Sequence, residues 1–285
     1  MIICKLFLII WWENKMSLKR ERGFRLFLKS MISVYSFFFS LGKKARKTKV
    51  FYLVSFLPIL LALIIKFVQI FSVHHHVEGI YIYSNMIMVL YLQFLILMLA
   101  LFFGTSVCSE EIEGKTLTYL TTRPVTKTAI ILGKYAAYSS LIILMTGAGL
   151  ILSFLILNAN NLLDFSLYRI LFKYALVLFL GLLCYSAFFT FIGTFLKRSI
   201  LFGLVFSFGW ENVIQYFPGS TQRFAIAHYL KSLLPYSSGG RFSFLLFRLE
   251  PTPPGAAVGM LFLIAGFFLG LACMVFSQKE YIFED

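Results

Sequence analysis

Three stretches of this chain, Met86–Cys108, Tyr135–Leu157 and Tyr174–Leu196, each run for 23 residues without a charged side chain. A helix rises about 1.5 Å per residue, so each can cross a hydrocarbon layer of about 30 Å with some tilt. Ala256–Ser277 is a fourth clean run. Two more are interrupted: Val50–Val73 carries Lys66, and Ile200–Phe217 carries Glu211. The chain is 60% hydrophobic and only 13% charged, too little polar surface for a soluble domain of its length, so the bilayer is the expected solvent. The expected fold is an all-α integral membrane protein with six transmembrane helices (50–73, 86–108, 135–157, 174–196, 200–217 and 256–277), a loop at 109–134, a second long loop at 218–255 and a short tail at 278–285.

A net charge of +14 would suit nucleic acid if it formed one patch, but it is divided among loops. Nineteen of the 26 Lys and Arg residues fall on one face of the six-span arrangement: twelve in residues 1–49, then Lys115, Arg123, Lys127, Lys134, Lys197, Arg198 and Lys279. By the bias of cytoplasmic loops toward Lys and Arg, both termini are expected in the cytoplasm of a cell membrane protein, and no nucleic-acid partner is expected. Cys4, Cys108, Cys184 and Cys273 are scattered in or beside apolar runs and read as packing residues. His74, His75 and His76 are consecutive, a spacing at which side chains rarely converge on one centre; they read as a wetted loop, and no metal or cofactor site is expected.

The basic N-terminus, 1–49, begins with a short apolar run and no small-residue cleavage site, and Met16 is an alternative start. Within it, Arg22, Arg25, Lys29, Ser33, Ser36 and Ser40 recur at spacings of three and four among Phe, Leu, Met and Ile. One polar stripe on an apolar helix predicts an interfacial helix over 22–40, lying in the headgroup plane, rather than a further span.

The loop after the second span reads SEEIEGKTLTYLTTRPVTKTAIILGKY from Ser109 to Tyr135. Gly114-Lys115-Thr116 mimics the end of a phosphate-binding loop. The pattern requires glycine five positions before Gly114, where Ser109 stands, and a preceding strand, so nucleotide binding by this chain is not expected. The residues instead predict that span two continues into the cytosol with Glu110, Glu111 and Glu113, turns at Gly114, and is followed by a short helix over Lys115–Thr122. Pro124 ends that helix, and Thr126 can cap the next.

Glu111, Glu113, Gly114, Thr116, Leu117, Leu120, Arg123, Pro124, Val125, Gly133 and Lys134 together resemble the pattern joining spans two and three in the permease subunits of type-two ABC exporters. The Trp210-Glu211 pair and the later "HYL" at His228–Leu230 are similar to one branch of that family. The resemblance implies that this chain is a non-catalytic subunit paired with a second permease copy or a homologous permease. It further implies that the loop, Glu110, Glu111, Glu113, Gly114, Lys115, Thr116, Leu117, Leu120, Arg123 and Pro124, docks a cytoplasmic ABC ATPase, which itself binds ATP and magnesium. The exporter direction rests on the resemblance alone, and the transported substrate is not legible.

A carboxylate at a helix centre in the bilayer costs on the order of 2.5–3.5 kcal/mol unless it faces a partner or water. Glu211, with Trp210 and Asn212, therefore marks a site. Two roles fit: lining a path or holding a gate through Arg223 or Lys231, or a structural ion pair or hydrogen bond in a polar cavity. The segment TQRFAIAHYLKSLLP that follows Pro218-Gly219 reads as a helix on, or dipping into, the outer surface. An ion-coupled secondary transporter using Glu211 is the alternative function, though no pair of broken spans repeats in the chain. A membrane-embedded enzyme would need convergent acid, base or nucleophile groups, which the cytoplasmic loops lack.

Overall fold

The computed structural model describes residues 25–71, 79–113, 126–161, 163–196, 198–214, 220–234 and 252–278, and among these it is all-helical, without a strand. Helix α1 covers 25–44. After the single non-helical residue Ala45, the chain enters α2 (Arg46–Ser55) and α3 (Leu57–Phe71). These two form one apolar rod, Thr48–Phe71, bent at Phe56. Pro58 accounts for the bend, since it has no N–H to return to the carbonyl of Val54 one turn earlier and its ring crowds that carbonyl. Next comes a continuous helix from Gly79 to Glu113, built of α4 (Gly79–Met86), a π-helical stretch (Ile87–Leu95) and α5 (Ile96–Glu113). Then follow α6 (Lys127–Leu157), α7 (Phe165–Phe195), α8 (Ser199–Val205), a second π-helical stretch (Phe206–Trp210) and the short α9 (Glu211–Val213). A 3-10 turn (Ser220–Phe224) leads to α10 (Ile226–Leu233), and α11 (Pro254–Gln278) is the last helix.

Among the described residues, five helices are long and apolar enough to cross a membrane: Thr48–Phe71, Ile82–Cys108, α6, α7 and α11. The sixth predicted span corresponds to a shorter apolar helix, Ser199–Trp210, continued by α9. Both α6 and α7 have 31 residues, hence about 46 Å against a hydrocarbon layer of about 30 Å. They exceed the uncharged runs because helix continues through the basic residues at their starts, Lys127 to Lys134 and Arg169 to Lys173. Asp164 starts α7 by accepting from the N–H (3.1 Å) and hydroxyl (2.8 Å) of Ser166, a side-chain N-cap. Thr126 occupies the N-cap position of α6 in extended backbone, but its side chain makes no capping bond.

Helix α7 is the centre, packed against α5, α6, α8, α10 and α11. Without a hydrophobic force between helices in lipid, close backbone approach and hydrogen bonds must hold such a bundle together. Both occur here. A Cβ on Gly193 of α7 would stand 2.8 Å from the Thr105 carbonyl oxygen, and one on Gly104 of α5 would stand 2.8 Å from the Phe189 Cβ. The two helices thus cross on reciprocal glycines. Nearby, Tyr135 donates to the Leu183 carbonyl (2.9 Å), and the Ser139 and Ser186 hydroxyls meet at 3.2 Å. At the other end Tyr83 donates to the Leu150 carbonyl (3.1 Å), and the Ser84 and Tyr174 hydroxyls pair at 2.6 Å. The first and last long helices are peripheral, with 17% and 11% of their apolar windows buried, against 72% for α7.

Candidate functional site

Two places gather the polar residues that the sequence singles out. The first is the root of the 109–134 loop. Glu110, Glu111 and Glu113 lie on the last turns of α5, whereas Gly114, Lys115, Thr116, Leu117, Leu120, Arg123 and Pro124 lie outside the described residues, as do His74–His76. The loop's exit is described in full. Gly133 of α6 is where α1 seats: a Cβ there would lie 2.8 Å from Val34 Cγ1 and 2.9 Å from the Met31 carbonyl oxygen. One residue on, Lys134 is 1% exposed and its ammonium stands 4.6 Å from the centre of the Phe38 ring. A desolvated cation over an aromatic face is worth about 2 kcal/mol. Further along, Gly42 of α1 meets Leu141 and Tyr138. At its very start α6 is tied to the opposite side, where Lys127 donates to the Ser277 carbonyl (3.4 Å) at the end of α11. That contact brings a cation to the helix end where orphan carbonyls collect.

Helix α1 therefore differs from the helix predicted over 22–40. It extends to residue 44, and its inner face, with Val34 and Phe38, is protein-packed rather than laid wholly on lipid. The polar stripe of Arg25, Lys29, Ser33, Ser36 and Ser40 is exposed on the side away from α6. Large apolar residues, among them Leu26, Ile32 and Phe37, are exposed beside it. The stripe is legible from spacing. The seat is not, because its partner lies about a hundred residues away.

The second place is Glu211. It is 1% exposed, and both of its oxygens are engaged by the start of α10: Ile226 N–H donates to Oε1 at 3.1 Å and Ala227 N–H to Oε2 at 3.3 Å. The first N–H groups of any helix lack partners within it. At the N-cap position of α10 stands Ala225, whose side chain has no acceptor. Glu211 supplies one from the neighbouring helix and puts a negative charge at the positive end of the α10 dipole. Lys231, 7% exposed and further along α10, attracts the same carboxylate. The Tyr185 hydroxyl lies beside it without reaching hydrogen-bond geometry.

With Ile226 to Lys231 all buried and Tyr185 of α7 beside its start, α10 packs into the bundle. Along its length α10 is fastened to the entry of α11: His228 Nε2 and Thr252 Oγ1 are 2.9 Å apart, and Thr252 N–H donates to Ser232 Oγ at 3.3 Å. Of the predicted trio, Glu211 has its side chain in this site and Trp210 is 53% exposed; the Asn212 side chain lies outside those described. The sequence calls for an ion pair or a hydrogen bond at Glu211, but does not say that the donors are backbone amides. The available signal is Ala225, a helix start with no capping side chain, set 14 residues after a carboxylate within an apolar run. Among the described residues no group of three or more His, Cys, Asp and Glu could hold a metal ion.

No curated protein matches the chain significantly. A family model described as ABC-2 family transporter protein matches residues 42–210, more than half of the chain. The matched region begins at the end of α1, includes the 109–134 loop and its exit, and stops one residue short of Glu211.

Proposed function

Since the chain belongs to the ABC-2 family of transporter proteins and is an ABC transporter permease, we propose that it is the transmembrane half of an ATP-driven exporter whose ATP hydrolysis takes place on a separate cytoplasmic subunit. A second permease copy, or a homologous permease, completes the pair. In this reading six spans leave both termini in the cytoplasm, and Lys115–Thr122 is the docking helix, with Leu117 and Leu120 as its apolar contacts and Glu110, Glu111, Glu113 and Arg123 around them.

The observation that carries the reading is the family match across this loop. Two features support it. Helix α5 ends in Glu110, Glu111 and Glu113 and α6 starts at Lys127, so both carry charged residues at the loop end. The exit is also braced, by Gly133 and Lys134 on α1 and by Lys127 on α11. A push on the loop would then reach α1, α6 and α11 together. The ion-coupled alternative gains no support, since both Glu211 oxygens already accept backbone N–H groups.

The test is ATP hydrolysis by the chain reconstituted with a candidate ATPase, comparing the unaltered protein with Leu117→Asp/Leu120→Asp. Loss of assembly or of coupling in the variant is expected. Equal behaviour of the two, with no ATPase bound to either, overturns the proposal.

A further inference from the structure

Between α6 and α7, toward the Asn158–Asp164 end, lies a half-open cavity of about 370 Å³, lined by Thr146, Gly147 and Leu150 on one side and by Phe172, Leu176 and Phe179 on the other. Its volume is near the lower end for small-molecule pockets, about 300–1,000 Å³. Nothing polar is offered to an occupant, because the one hydroxyl, Thr146, donates to its own helix at the Ile142 carbonyl (2.7 Å). The floor is open at Gly147, where an added Cβ would meet nothing within 4 Å. Phe172, Leu176 and Phe179 are 70%, 41% and 42% exposed, so the mouth opens on the outside of the bundle.

The rim has a different chemistry. One and two turns before Phe172 on α7 stand Tyr168 and Phe165, exposed aromatics with ring centres 6.3 Å apart, the residue types that mark a membrane–water boundary. Arg169 and Lys173, a turn apart and both exposed, flank them. The positive-inside rule leaves this end poor in basic residues, so a pair beside an apolar groove requires a reason. Long basic side chains at that level reach lipid phosphates.

We propose that this groove seats one acyl chain of an anionic phospholipid from the leaflet at the Asn158–Asp164 end, with Arg169 and Lys173 holding its phosphate. Along α7 the cation pair, Arg169 and Lys173, stands where the outer end of the apolar slot meets the aromatic rim of Tyr168 and Phe165, within reach of the phosphate of a lipid whose chain lies in the slot. The site rests on the chain's place in a membrane and not on ATPase docking, so Leu117→Asp/Leu120→Asp leaves it intact.

The experiment reconstitutes the full chain in phosphatidylcholine vesicles containing a minor fraction of phosphatidylglycerol with a photoreactive acyl chain, and maps the labelled peptides. Labelling of 143–150 and 172–182 is expected to exceed that of 260–274 several-fold, although the latter belongs to a more exposed helix. Gly147→Leu, whose Cβ enters open space in the groove, should remove the excess. Arg169→Gln/Lys173→Gln should erase the preference over a photoreactive phosphatidylcholine while leaving chain labelling in place. Equal labelling of the groove and 260–274 overturns the proposal. So does an excess that survives Gly147→Leu, or a disulfide between copies formed by Leu176→Cys, which would give the groove to a second permease.

Discussion

Glu211 illustrates how the cost of a buried charge is met here. Removing its carboxylate leaves two helix-starting N–H groups without an acceptor, and an orphaned buried donor costs about 1–3 kcal/mol. Glu211→Ala is therefore expected to lower the thermal unfolding midpoint in detergent measurably, and Glu211→Gln, which keeps one acceptor oxygen, to lower it less. Combining Glu211→Ala with Ala225→Ser puts an acceptor at the local N-cap and should recover part of the loss. A carboxylate needed for ion coupling would not be replaced in this way, so transport without recovery of stability would count against the capping role. Gly193 sets a second residue-scale expectation. A side chain there has to displace the Thr105 backbone, and overpacking of this kind costs typically 1–3 kcal/mol. Gly193→Leu should thus lower the midpoint comparably, and an unchanged midpoint would show that α5 and α7 do not cross on these glycines.

At the scale of elements, α1 and α6 form one unit. Gly133→Val places a branched side chain against Val34 and the Met31 carbonyl, and Lys134→Met withdraws the cation from Phe38. In either variant amide hydrogen exchange of residues 25–44 should rise while that of residues 177–192 stays fixed. Equal protection in variant and parent would mean that α1 is held by lipid alone. How far such units can be read from sequence varies with the reach of the cause. Met86–Cys108 announces itself because every residue in it answers to the same solvent. The stripe from Arg25 to Ser40 is legible for the same reason. The bend at Phe56 was within reach too, since Pro58 acts on its own preceding turn. Gly133 and Lys134 stood in the family-like pattern, yet nothing in their spacing says that α1 is their partner. The Glu211 site was half legible: the carboxylate demanded a partner, but the partner is a set of backbone amides across Pro218-Gly219, and amides have no sequence identity.

For the whole molecule, the bundle is a core of α5, α6 and α7 with two lightly packed outer helices, the first and the last. The loop end and the opposite end are built differently. At the loop end, besides the Tyr135 and Ser139 hydroxyl ties to α7, Lys127 and Lys134 join α6 to α11 and α1, so that one helix start holds two peripheral elements. At the other end the ties are hydroxyls and carbonyls among α4, α6 and α7, and they leave the α6–α7 groove open between them.

The Glu211 cap also bears on how the protein is made. During synthesis Glu211 leaves the ribosome before Ile226 and Ala227, and well before the Thr252 that fastens α10. For that interval the short helix beginning at Ser199 carries an uncapped carboxylate, at a cost on the order of 2.5–3.5 kcal/mol if it sits at bilayer depth. What keeps it in place meanwhile is already inserted: Gly203 lies against Leu101 of α5 and Phe189 of α7. The contacts that hold this helix are thus with segments made before it, and the amides that cap its carboxylate are made after it.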